Sequence, residues 1–223
     1  MPDNNRKIIT FENPYSPVTE AYKTLRTNIH WSSIDRPVQT ILVTSTEKKT
    51  GKSLTVVNMA VSFAQLGKKV VIVDCDLRKP TQHEYFMKSN RNGLSHLLAG
   101  HYQLEQCLLD THVDNLTLLP SGTVPPNPAE LLDSDRMAKL LEELKASYEI
   151  IILDSPPALI VTDAHILASK CDGVVFVVRS GKTKRELAQK ALAYLTYANA
   201  RILGVVLNDQ KGMRREYRFG YGK

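Results

Sequence analysis

Cysteine is scarce in this chain: Cys75, Cys107 and Cys171 are all it has, and no two stand in a Cys-x-x-Cys pair. That excludes a disulfide framework and suits a reducing, cytoplasmic compartment. Long apolar runs are missing as well. Stretches such as Ile150-Ile151-Ile152-Leu153 meet a charge within a few residues, far short of the roughly 20 apolar residues a membrane span requires. The start is polar, with Asp3, Arg6 and Lys7, so no signal peptide is expected. No internal repeat or low-complexity linker divides the chain.

What is present suits one α/β domain. The 223 residues are 43% hydrophobic and 23% charged, enough to bury a sizeable core. A formal charge of +6, from 29 Lys+Arg against 23 Asp+Glu, suits an anionic ligand or an acidic surface. Short Val/Ile/Leu-rich runs at 40–45, 70–74, 116–120, 150–154, 174–178 and 203–208 read as strands covered on both faces. Helical patterns over 52–66, 136–145, 162–169 and 184–198 separate them, and 18–30 has helical character after Ser16-Pro17. This alternation predicts a mostly parallel sheet flanked by helices. Residues 1–210 form the expected domain, with its first helix at about 17–30. Residues 211–223 lose periodicity and carry five Lys/Arg against one Glu.

The most informative segment is Thr46-Glu47-Lys48-Lys49-Thr50-Gly51-Lys52-Ser53, between a strand and a helix. That context makes Gly-Lys-Ser a phosphate loop, although Thr46 replaces the usual first glycine. Backbone N–H groups from Thr50 to Leu54 and the helix dipole converge on the anion. Lys52 supplies charge for the phosphates and Ser53 a hydroxyl for Mg²⁺. Two strands end in carboxylates: Val73 runs into Asp74-Cys75-Asp76, and Leu153 into Asp154. In an extended segment Asp74 and Asp76 project together. A lone Asp there would be read as a turn or helix cap. Three at two strand ends, beside Gly-Lys-Ser, read as metal and proton-transfer groups.

On these residues the chain resembles the bacterial tyrosine kinases of capsule and exopolysaccharide biosynthesis, from about Ile9 to the end. Gly51-Lys52-Ser53 matches the family's first Walker motif. The segment from Ile72 to Pro80 matches its A-prime motif, and that from Ile151 to Pro157 its Walker B. Ser121 to Leu132, by composition a Pro-rich loop leading into a helix, also resembles a family segment. The resemblance implies a phosphate-loop ATPase-like fold and a protein-tyrosine kinase using ATP and Mg²⁺. Lys52 and Ser53 would contact the nucleotide, and Asp76 and Asp154, with Ser53, the metal. Asp74 would be the base and Asn208 would lie near adenine. Where the family reads Pro-Gly-Glu-Gly-Lys, this chain has Lys48-Lys49-Thr50-Gly51-Lys52, so Lys49 replaces a glycine.

By the same resemblance, Tyr217 and Tyr221 are phosphoacceptors, modified in trans. Glu20, Lys23 and Arg26 match a pattern that packs subunits into a ring, with Lys23 in place of an Arg. External protein substrates are expected, and so is a membrane-anchored activator whose cytoplasmic tail recruits the chain to the inner face of the membrane. The rival reading is a partition or division-site ATPase switch without kinase activity. Such proteins carry a signature Lys where Glu47 stands and lack a tyrosine-bearing tail. Nucleic-acid binding is not expected, since no recognition helix accompanies the basic residues.

Overall fold

The computed structural model describes residues 7–32 and 34–210. In chain order the elements are α1 (Ile9–Glu12), α2 (Pro17–Ser32), β1 (Thr40–Ser45), α3 (Lys52–Ala64), β2 (Val70–Asp74), α4 (Gln82–Tyr85) and α5 (Leu94–Ala99). There follow β3 (Leu109–Asp110), β4 (Leu116–Leu119), α6 (Pro128–Asp133), α7 (Asp135–Ser147) and β5 (Ile150–Asp154). The last four are α8 (Asp163–Lys170), β6 (Gly173–Arg179), α9 (Arg185–Tyr197) and β7 (Ile202–Asn208).

Seven strands form one sheet in the order β3-β4-β2-β5-β1-β6-β7. All neighbours run parallel except β3 against β4. β1 and β2 are buried at every position, which is why their sequences are unbroken apolar runs rather than alternating ones. Side chains of opposite parity feed two cores. On one face Ile41, Val43, Ile72, Ile152 and Val175 pack with Met59 of α3 and Ile29 of α2. On the other, Leu42, Val71, Leu153 and Phe176 pack with Met137, Leu167 and Leu195 of the α7, α8 and α9 layer.

Polar clamps close the amino-terminal end of the sheet. The Asp172 carboxylate accepts the Gln39 N–H at 3.0 Å, and the Thr40 N–H and hydroxyl at 2.8 Å each. Burial alone would raise its pKa, but these hydrogen bonds outweigh that and hold it below the usual carboxylate range. Arg201 donates to the Arg36 carbonyl at 3.0 Å and to the Ser32 carbonyl, tying the end of α2 to the start of β7.

Each strand and long helix read from the sequence is present, with ends displaced by no more than two residues. The strand beginning at Leu116 stops at Leu119, and the helix from Lys52 stops at Ala64, where the chain turns through Gly67 at φ 77°. The four short helices α1, α4, α5 and α6 and the two-residue β3 were not foreseen as elements. Among the described residues no helix is long and apolar enough to cross a membrane.

Candidate active site

β1 delivers residues 46–51 to the middle of the sheet's carboxyl edge, where bound ligands lie in open α/β sheets. Gly51 closes this loop at φ 88°, and a Cβ there would sit 1.8 Å from Asn208 Nδ2. Both conformation and space demand glycine. Asn208, at the end of β7, donates Nδ2 to the Thr50 carbonyl at 2.8 Å. Thr55 Oγ1 donates to the Gly51 carbonyl at 3.0 Å. Lys49 stands at φ 64°, so the substitution of a glycine there does place a Cβ-bearing residue in the left-handed region. That conformation is unfavourable by about 1 kcal/mol.

Lys52 opens α3 and is 8% exposed. Its Nζ donates to Asp154 Oδ1 in a buried ion pair and reaches Ser53 Oγ at 3.3 Å. The other Asp154 oxygen accepts Gln82 Nε2 at 2.6 Å, and the same amide reaches the Ser53 carbonyl at 3.3 Å. Neighbouring strands β2 and β5 align Asp74 with Asp154, and both carboxylates are fully buried. Burial, reinforced by Asp154, pushes Asp74 up to about 8, against the opposing pull of the Gln82 N–H and Lys52. Asp74 Oδ2 accepts the N–H groups of Thr81 and Gln82, each at 3.0 Å.

Asp76 is placed differently from the extended reading. β2 ends at Asp74, and Asp76 opens a turn in which its Oδ1 accepts the Lys79 N–H at 3.0 Å. The two side chains therefore do not continue one strand face. Asp76 still lies within electrostatic reach of the site. Burial raises its pKa, Lys52 opposes that rise, and Asp154 adds to it.

The structure thus gathers Thr50, Gly51, Lys52, Ser53, Leu54, Asp74, Asp76 and Asp154 at one edge, with Asn208 holding the loop from below. Glu20 and Lys23 pair with each other on α2 at 2.7 Å, while Arg26 turns inward and donates to the Ser62 carbonyl of α3. Tyr217 and Tyr221 lie outside the described residues.

Sequence reasoning missed Gln82, which bridges Asp154 and Ser53; no spacing rule marks an amide eight residues beyond Asp74. It also passed over the clamp in which Arg78 donates through Nε and Nη2 to the buried Asp163, at 2.9 and 3.0 Å. This fixes the turn after β2 against α8. Arg78 was visible within the A-prime segment, but its partner lies 85 residues away.

The residues fit a nucleotide with Mg²⁺. Thr46 Oγ1, Thr50 Oγ1 and Gln82 Oε1 are buried without a hydrogen-bond partner among the described residues. Leaving such atoms unsatisfied costs about 1–3 kcal/mol each, and two of the three belong to the phosphate loop. Mg²⁺ keeps several waters and takes few protein oxygens, for which the Ser53 hydroxyl and one or two carboxylates suffice.

Strand, glycine-closed loop, helix and facing carboxylates define a phosphate-loop nucleotide-binding protein. A family profile described as an AAA domain matches residues 38–202. Tyrosine-protein kinase YwqD of Bacillus subtilis (strain 168) is 43% identical over 216 residues, covering 97% of this chain and 91% of the relative. The chimerical protein CapA2B2 superposes with a TM-score of 0.89 at 38% identity, over 92% of this chain and 90% of that one. The kinase domain of the Escherichia coli tyrosine kinase ETK gives 0.87 at 29% identity, over 97% and 85%. The septum site-determining protein MinD of Pyrococcus horikoshii OT3, complexed with Mg-ADP, gives 0.67 at 25% identity, over 79% and 72%. The chain belongs to the bacterial tyrosine-protein kinase family.

Proposed function

We propose that this chain is an ATP-dependent protein-tyrosine kinase serving capsular or extracellular polysaccharide production, with 1–210 as its kinase domain and 211–223 as its acceptor segment. The carrying observation is the meeting of Lys52, Ser53, Asp74 and Asp154 at one buried edge. Thr50 to Leu54 hold the phosphates with their N–H groups, and Lys52 exchanges its Asp154 partner for phosphate oxygens. Mg²⁺, when bound, neutralises charge on the phosphates; Ser53, Asp76 and Asp154 are the groups to hold it. A tyrosine hydroxyl attacks the γ-phosphorus, its proton passes to Asp74, and ADP leaves with the bridging oxygen. A free phenol has a pKa of about 10 and a free Asp about 4. Raising Asp74 to about 8 narrows that mismatch and makes it a competent base.

Tyr217 and Tyr221 are the proposed acceptors, modified by a neighbouring copy in a ring that uses Glu20, Lys23 and Arg26. A membrane-anchored activator, through its cytoplasmic tail, recruits the chain to the inner face of the membrane. The ATPase-switch alternative fits less well: the ETK kinase domain superposes better than MinD does, and Glu47 occupies the signature-lysine position. The test is incubation with labelled ATP and Mg²⁺, with and without activator peptide, followed by phosphotyrosine mapping. Label is expected on Tyr217 and Tyr221 and is lost in Lys52→Met. ATP hydrolysis without phosphotyrosine under both conditions refutes the kinase reading.

A further inference from the structure

Where the parallel strands finish, two loops lie against each other: residues 46–51 after β1, and 180–184 after β6. Thr183 joins them, its Oγ1 donating to Glu47 Oε1 at 3.4 Å while accepting the Arg179 N–H at 2.9 Å. These loops and the first turn of α9 expose Lys48, Lys49, Lys182, Lys184 and Arg185. Among the described residues none of the five makes an ion pair. Only Glu47 and Glu186 oppose them in the same segments, leaving five cations against two carboxylates.

The opposite end of the sheet is unlike this. There Lys68 pairs with Glu149 at 2.7 Å, and Arg201 is used on backbone carbonyls. The basic end also carries exposed apolar side chains. Leu187, in the first turn of α9, is 37% exposed, and Leu207, near the end of β7, is 50% exposed.

We propose that this rim is a direct docking surface for an anionic lipid membrane. Unpaired cations spread over adjoining loop tips are attracted to the smeared charge of an anionic leaflet, additively and without fixed geometry. Leucines beside them can enter the interfacial layer. A nucleic acid is the weaker match, because residues 46–51 and 180–187 contain no aromatic side chain on which a base could stack. This attachment needs no partner protein and does not rest on the proposed kinase activity.

The test is cosedimentation of the full chain with vesicles of phosphatidylcholine mixed with phosphatidylglycerol, against phosphatidylcholine alone. At least about tenfold preference for the anionic vesicles is expected, falling as salt rises. Lys182→Glu, Lys184→Glu and Arg185→Glu together should remove most of that preference. The same charge change at Lys69, Lys139 and Lys190 should retain it, and both variants should bind ATP as the parent does. Equal binding to the two vesicle types, equal loss in the control variant, or duplex DNA displacing the chain from anionic vesicles overturns the inference.

Discussion

Lys49 bears a side chain where the backbone turns left-handed, and this loop tolerates the strain while Gly51 two residues on cannot be changed. Lys49→Gly relieves the unfavourable conformation, although glycine also gains entropy in the unfolded chain. The net expectation is a gain of up to about 1 kcal/mol, read from the denaturant midpoint at unchanged slope. Asp74 sets a different expectation. Its folded pKa of about 8 leaves it protonated at lower pH, and only the ionised form can accept the phenolic proton. Phosphotyrosine formation at limiting ATP, which reports the ionisation of the free enzyme, should therefore rise with pH toward that value. A rate flat from pH 6 to 9 would remove Asp74 from the role of base.

At the scale of elements, the clamp on β1 is the most exposed to titration. Asp172 is held below its ordinary pKa, so its stabilisation is complete above the unfolded value of about 4 and fades as pH falls through the lower folded one. Asp172→Asn should destabilise the chain by about 1–2 kcal/mol at neutral pH, with the difference narrowing near pH 3; thermal melts across pH decide it. The strands and long helices were legible because burial on both faces writes continuous Val/Ile/Leu runs, and because helices such as α9 complete several turns. Helices of four to six residues, such as α4 and α6, complete too few turns to show a period. β3 pairs only two residues. In the site, the phosphate loop and the strand-end aspartates were legible, since their chemistry is fixed by position in a strand-loop-helix unit. Gln82 and the Arg78–Asp163 clamp were not, because partners brought together by tertiary folding leave no local pattern. Asn208 was singled out for adenine; its Nδ2 also holds the Thr50 carbonyl, a structural contact that no local pattern announced.

For the molecule as a whole, α2 offers a clean test of ring assembly. Reversing Arg26 would also remove its bond to Ser62 and loosen α2 from α3. Exchanging the partners, Glu20→Lys with Lys23→Glu, preserves an intrahelical pair while reversing the order of the two charges shown to a neighbour. Sedimentation should shift toward smaller species; an unchanged profile argues against that face as the subunit contact. The tether from Asn208 to Thr50 reaches further. It joins the outermost strand to the loop that grips phosphate, two residues before Gln210 leads into the final thirteen. If that loop grips phosphate as proposed, a ligand that displaces the end of β7 alters the grip, and by thermodynamic reciprocity nucleotide binding biases the end of β7 by an equal free energy.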